Sequence, residues 1–124
     1  MLDRNKETVR AFYQAAINDK DFTAARALIG PGYVQHNPRI ADGIDGFAGF
    51  VAEIATDFPD LRAEVKGLWA EGDRVIGHVH GVRVPGQRGT AIVDIFRLED
   101  GLIVEHWDVM QPVPEEAANT NGMF

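Results

Sequence analysis

The hydrophobic pattern of this chain changes period once, at Phe58-Pro59-Asp60, and that change limits the fold more than any other feature. Before it, apolar residues recur every three or four positions; after it, they come in short runs separated by turn residues. From Arg4 to Asn18, the residues Val9, Phe12, Tyr13, Ala16 and Ile17 form one stripe, which predicts an amphipathic helix. Asp21 can cap a second, short helix, Phe22 to Ile29, that stops at Gly30-Pro31-Gly32. Tyr33-Val34-Gln35-His36 reads as a short extended segment closed by Asn37-Pro38, because a residue before proline is driven out of the helical region. After a loop over 39–43, Ile44, Phe47, Phe50, Val51, Ile54 and Phe58 fit a third helix. Gly46 and Gly49 weaken that helix by roughly 1 kcal/mol each relative to alanine and are expected to admit close approach of another element. Downstream, Leu61 to Trp69, Arg74 to Val84, Thr90 to Leu98 and Leu102 to Met110 read as four strands joined by hairpin-type turns. Helices followed by an antiparallel meander predict an α+β domain.

The 124 residues suit a single domain, 1–124. Folding at that size removes roughly two-thirds of the unfolded surface from water, enough for a core and a modest internal pocket. The tail, about 111–124, is expected to be irregular, with Met123-Phe124 available to dock, for example on a neighbouring subunit. Twelve basic against nineteen acidic residues give a net charge of -7, and no Lys/Arg cluster offsets it. Phosphate backbones and anionic membranes repel such a surface, so neither nucleic acid nor a membrane is an expected partner. Cysteine is absent, which excludes disulfides, thiolate metal sites and cysteine nucleophiles. No apolar run approaches the roughly 20 residues that span a bilayer, and the N-terminus lacks the apolar block of a secretory signal. A cytoplasmic protein is the resulting expectation.

The chemistry concentrates in the last strand, Gly101 to Met110. Alternation puts Val104, His106, Asp108 and Met110 on one face, and Ile103, Glu105, Trp107 and Val109 on the other. A buried carboxylate without partners costs several kcal/mol or takes up a proton, and a carboxyl so perturbed can serve as a general acid or base. The alternative is an exposed face, or a satisfied His-Asp hydrogen bond in the core. Asp94 interrupts an otherwise apolar run and shares its phase with Ile92 and Phe96, so it is expected to point inward. If Asp94 and Asp108 face one cavity, repulsion and desolvation favour one shared proton. One carboxylate would then take a proton alpha to a carbonyl while a neutral acid or histidine donates to the oxyanion. Alternatively, Asp94 bonds His106 and only fixes its ring.

Other candidates surround that pair. His36, beside the third helix, is either a ligand-orienting donor or a loop cap. His78 and His80 share a strand face with Ile76 and Val82 and are candidate substrate contacts. With His106 or an aspartate they would make a three-ligand metal set, but chance His-x-His pairs are common and no metal is expected. Phe12, Tyr13, Phe47, Phe50 and Phe58 are mainly core; Phe50, Phe96 and Met110 are candidate pocket walls. Trp107 faces away from Asp108, which points to outer-sheet packing or an interface, and Arg97 and Glu105 share that outward phase.

Five motifs occur together in order: Tyr33-Val34-Gln35-His36-Asn37-Pro38, Asp57-Phe58-Pro59-Asp60-Leu61, Glu71-Gly72-Asp73-Arg74-Val75, Phe96 to Gly101, and Glu105-His106-Trp107-Asp108. Through them the chain, from Lys6 to about Pro114, resembles the SnoaL-like polyketide cyclase family of the nuclear-transport-factor-2-like (NTF2-like) superfamily. The resemblance implies a cone of three helices on a curved antiparallel sheet, a pocket closed by the concave face, and a homodimer built on the outer face. It also implies an intramolecular aldol condensation without metal or organic cofactor, with Asp108 as general acid/base and His106 at the matching histidine. Fourteen residues before the aspartate those cyclases carry a histidine, where this chain has Asp94. That difference alters the charge and proton inventory and leaves the substrate open. The expectation is a cofactor-independent lyase or isomerase acting on an apolar carbonyl compound, with Asp94 and His106 tuning Asp108. The alternatives are a non-catalytic binding or dimeric interaction module of the same fold, and an epoxide hydrolase.

Overall fold

The computed structural model describes residues 1–124. Helix α1 (Leu2–Phe12) runs into a π-helical turn (Tyr13–Asn18), followed by α2 (Phe22–Arg26), β1 (Ile29–Gln35) and α3 (Gly43–Asp57). Strands β2 (Arg62–Glu71), β3 (Arg74–Val82), β4 (Thr90–Glu99) and β5 (Leu102–Pro112) complete it. The meander from β2 to β5 is antiparallel, as the alternating runs require, and β1 joins its far edge parallel to β5, giving the order β1-β5-β4-β3-β2. Helices pack on one face of this curved sheet. No helix is long and apolar enough to cross a membrane.

The core is where the helical stripes meet the concave face. Val9, Phe12, Tyr13 and Ala16 from the first helical segment pack with Phe47 and Val51 of α3 and with Val75, Val79, Phe96, Leu98 and Ile103 of the sheet. Phe12 stands edge-on to Phe96 with centroids 5.6 Å apart, a favoured aromatic geometry. Asp42 starts α3: its side chain accepts from Gly43 N (2.9 Å) and also from Gln35 N (2.8 Å), tying the helix to the end of β1. These two backbone donors hold its carboxyl below the usual carboxylate range.

Three local readings change. The second helix ends at Arg26 rather than Ile29, because Ile29 already pairs with Ile103 and Ile103 N donates to Leu28 O (2.9 Å). Gly30-Pro31-Gly32 is therefore part of an irregular edge strand and not a helix stop. A Cβ on Gly30 would lie 2.9 Å from Val104 Cγ1, so only glycine lets β1 sit this close to β5. The first helix widens at Tyr13, with Asp19 N donating to Gln14 O (2.8 Å) in the i to i−5 pattern. Its end is fixed by Asn18, whose amide exchanges two hydrogen bonds with the backbone of Ala63 on β2 (3.1 and 2.8 Å). Gly46 does permit a close approach, since a Cβ would collide with the Ala41 carbonyl, whereas Gly49 faces open space. In the tail, Phe124 lies against this chain's own sheet, its ring centroid 5.3 Å from His78 and 4.4 Å from His80.

Candidate active site

Antiparallel pairing of β4 with β5 sets Asp94 opposite Asp108 and Phe96 opposite His106, while β1 brings Gln35 level with His106 from the other side. Three adjacent strands thus direct Gln35, Asp94, His106 and Asp108 to the face beneath the helices. There they line a cavity of about 270 Å³ whose walls include Phe50, Ile54, Phe58, Phe96 and Met110. A larger, shallower depression of about 440 Å³ between Asp60–Glu64 and His80–Pro85 contains none of these polar groups.

The hydrogen bonds assign protons. Gln35 Oε1 accepts from Asn37 N (2.9 Å) and Gln35 Nε2 donates to the Tyr33 hydroxyl (3.0 Å), which fixes the orientation of the amide. Oε1 can only accept, so His106 Nδ1, 2.8 Å away, must carry a proton. His106 Nε2 lies 2.8 Å from Asp94 Oδ1 and 3.8 Å from Asp108 Oδ2. Nε2 thus pairs with Asp94, and the ring stands between two carboxyl groups. Both ring nitrogens are occupied, so the ring positions its neighbours instead of contacting a ligand.

Asp94 is closed on its other side by Tyr13, whose hydroxyl donates to Oδ2 (2.7 Å). Burial first, and then the charge of Asp94, pushes the Tyr13 phenol well above its ordinary range, so it remains a donor at every accessible pH. Tyr33 is raised in the same way, by burial and then by the field of Asp94 and Asp108. Opposite Asp94 on β3 stands Gly77, and a Cβ there would sit 2.6 Å from the Tyr13 oxygen. The missing side chain is what makes room for the phenol. Asp108 is different. Its hydrogen-bonding partner is the Asn37 amide, which donates to both oxygens (3.0 and 2.8 Å) and is itself oriented by Arg39 N donating to Asn37 Oδ1 (2.8 Å). Asp108 lines the cavity with no other side-chain hydrogen bond.

No hydrogen bond joins Asp94 to Asp108, so the shared proton expected between two carboxyls is replaced by an imidazole standing between them. Asp94, His106, Asp108, Phe50, Phe96 and Met110 do line one cavity. His36, His78 and His80 do not. His36 Nε2 lies 2.7 Å from Glu105 Oε2, and its ring stacks on Trp107 at 4.8 Å and 4°, because alternation along β1 sends Gln35 and Asn37 inward and His36 outward. His78 and His80 pair with Val93 and Ala91, one residue out of phase with Gly77 and Asp94, and point to the convex face, where Phe124 covers them.

Residues 7–118 match the family model of the SnoaL-like polyketide cyclases. The chain belongs to this family. A curated relative, "Probable cyclase otaY" of Aspergillus carbonarius, is 28% identical over 105 residues, covering 81% of this chain and 83% of that protein. Among solved structures, TsrD from Streptomyces laurentii is 26% identical with a TM-score of 0.72, over 87% of this chain and 88% of its own. AclR from Streptomyces galilaeus, at 23% identity and a TM-score of 0.74 over 90% of this chain and 81% of its own, shares the fold.

In this SnoaL-like chain the residues that sequence reasoning passed over are Tyr13, Tyr33, Gln35 and Asn37. The last three could have been found by applying to β1 the alternation applied to β5, since inward Tyr33 sets the phase of Gln35 and Asn37. Tyr13 lay in the buried stripe of the first helix, and nothing in that spacing showed that its hydroxyl meets Asp94. Asp94, His106 and Asp108 each offer one ligand atom within 4.8 Å of the others, the donor set a divalent cation would use. Filling it would require Nε2 to give up its bond to Asp94.

Proposed function

We propose that this protein is a cofactor-independent acid/base enzyme that forms or rearranges a carbon–carbon framework next to a carbonyl, with Asp108 as the general acid/base. The observation that carries the reading is a difference in the donors of the two carboxyl groups in one apolar cavity: Asp94 is tied by two separate side chains, Tyr13 and His106, whereas Asp108 is held by the Asn37 amide alone. In an aldol-type cyclisation the Asp108 carboxylate takes the proton from the carbon alpha to a carbonyl. The enolate carbon bonds to a second carbonyl of the same molecule, and the resulting alkoxide recovers the proton from Asp108. Protons balance over the cycle, and the charge that leaves Asp108 for the substrate stays beside His106, whose N–H groups are fixed before the reaction starts. Stopping at the enol and returning the proton elsewhere gives isomerisation by the same groups.

The test uses a neutral probe, 2-tetralone in D₂O, with deuterium incorporation alpha to the carbonyl followed by NMR. Wild type accelerates exchange and Asp108→Asn does not; equal rates for the two would sink the reading and leave a binding module. The Asn37–Asp108 pair also supplies the carboxylate and amide that hold a water in epoxide hydrolysis, so turnover of styrene oxide in place of exchange would select that activity. We further propose a homodimer through the convex face, where Trp69, Ile76, Val93 and Val109 are exposed together. Light scattering reporting a monomer at micromolar concentration would refute it.

A further inference from the structure

The cavity is acidic at its buried end and basic at its mouth. Asp94, His106 and Asp108 form the floor, while Arg39, Arg62 and Arg83, all exposed, line the opening. Arginines elsewhere in the chain are mostly engaged: Arg4 and Arg26 donate to backbone carbonyls, Arg10 pairs with Glu7, Arg74 with Asp73, and Arg97 with Glu99 and Glu105. Arg39, Arg62 and Arg83 have neither a side-chain hydrogen bond nor an ion pair, and only Arg88, on the β3–β4 turn, shares that condition. Arg83 rests on the Phe58 ring at 4.8 Å, which fixes the guanidinium plane and leaves its N–H edge free. Lys20 also lies near Arg62, its ammonium donating to Leu61 O (2.7 Å), with Asp60 and Asp19 beside it offsetting its charge. The exposed carboxylate of the lining is Glu53, which forms no ion pair.

A chain of net charge -7 repels anions over most of its surface. Placing three unpaired guanidinium groups at the one entrance reverses that field locally and focuses anions there. The guanidinium fork matches a carboxylate or phosphate in a way a lysine does not. We infer that the cavity takes an anionic ligand, an apolar carbonyl compound with an oxyanion at the end remote from Asp108, held at the mouth by Arg39, Arg62 and Arg83. This rests on the proposed function only in taking the ligand to occupy the same cavity.

The test compares 4-(2-naphthyl)-4-oxobutanoic acid with its methyl ester by calorimetry, which needs no turnover. The acid is expected to bind about tenfold tighter, the scale of two exposed guanidinium–oxyanion pairs. The preference should narrow to about twofold in Arg62→Gln/Arg83→Gln and shrink between low and high salt. A phosphate monoester of the same ketone separates the sources: tighter than the acid indicates a phosphorylated ligand, weaker a free acid. Equal binding of acid and ester, no binding of either at millimolar concentration, or an acid preference that survives in the double variant overturns the inference. Asp108→Asn must keep the acid preference. Its loss of exchange on neutral 2-tetralone tests the chemistry separately, so either idea can fail alone.

Discussion

Two histidine–carboxylate pairs of nearly equal length sit on opposite faces of the sheet. His106 meets Asp94 at 2.8 Å on the concave face, and His36 meets Glu105 at 2.7 Å on the convex face. Distance does not separate them; surroundings do. Side chains of the inner pair are 11% and 9% exposed, those of the outer pair 41% and 18%. In the inner pair every polar atom has a protein partner, through Tyr13 and Gln35, because a buried group left unpaired loses hydration that nothing replaces. The outer pair shares Glu105 with Arg97 and stacks on Trp107, and water screens what remains.

The largest effect should come from Asp108, the carboxyl group beside the inner pair. Asp108→Asn is expected to lower 2-tetralone exchange by about 10² to 10⁴-fold, whereas Glu105→Gln, on the same strand one face over, should leave the rate unchanged. Next, Asp94→Ala leaves His106 Nε2 and the Tyr13 hydroxyl without their shared partner, and urea unfolding should register a loss of about 2–5 kcal/mol, about 1–3 for each group left unpaired. Tyr13→Phe strips one donor from Asp94 and should cost about 1–3 kcal/mol. An unfolding midpoint equal to wild type would mean that Asp94 recruits water in place of the phenol.

Acid should separate the two faces without mutation. Hydrogen bonds from His36 and then Arg97 hold the Glu105 carboxyl below its ordinary range. A carboxyl depressed in the folded state contributes stability that is complete above the ordinary value of about 4.3 and fades as pH falls through the folded value. Thermal unfolding of wild type should therefore lose more between pH 5 and pH 3, roughly the window around that ordinary value, than that of Glu105→Gln; parallel curves would mean the outer network is energetically silent. Smallest of all, His36→Ala should change unfolding free energy by about 1 kcal/mol or less.

Much of this contrast was legible in the chain before folding. Alternation along β5 separates His106 and Asp108 from Glu105 and Trp107, but the register was not legible: the pairing slips by one residue between Arg97 and Leu98, which sets Asp94 opposite Asp108 instead of Trp107 and turns Ile103 inward to the core, against the alternation. What could not be read depended on contacts distant in sequence. Gly30-Pro31-Gly32 carries the chemistry of a helix stop, and only pairing with Ile103 turns it into strand. The widening of the first helix at Tyr13 comes with the tether of Asn18 to Ala63, forty-five residues away. The proton on His106 Nδ1 follows from the amide of Gln35, which is pinned by its own neighbour Asn37. Periodicity reports which face a residue occupies; it does not report which atom its side chain will meet.

The bare position at Gly77 has a historical consequence. A methyl group there and a hydroxyl on residue 13 claim the same space, 2.6 Å apart, so the two cannot coexist without displacing Tyr13. An alanine in place of Gly77 would push the phenol off its line to Asp94 unless residue 13 had already lost its hydroxyl. The order of substitution therefore matters: Gly77→Ala should cost more stability in the present background than after Tyr13→Phe. Position 77, which touches no ligand, thus acts as a ratchet on what its neighbours are free to become.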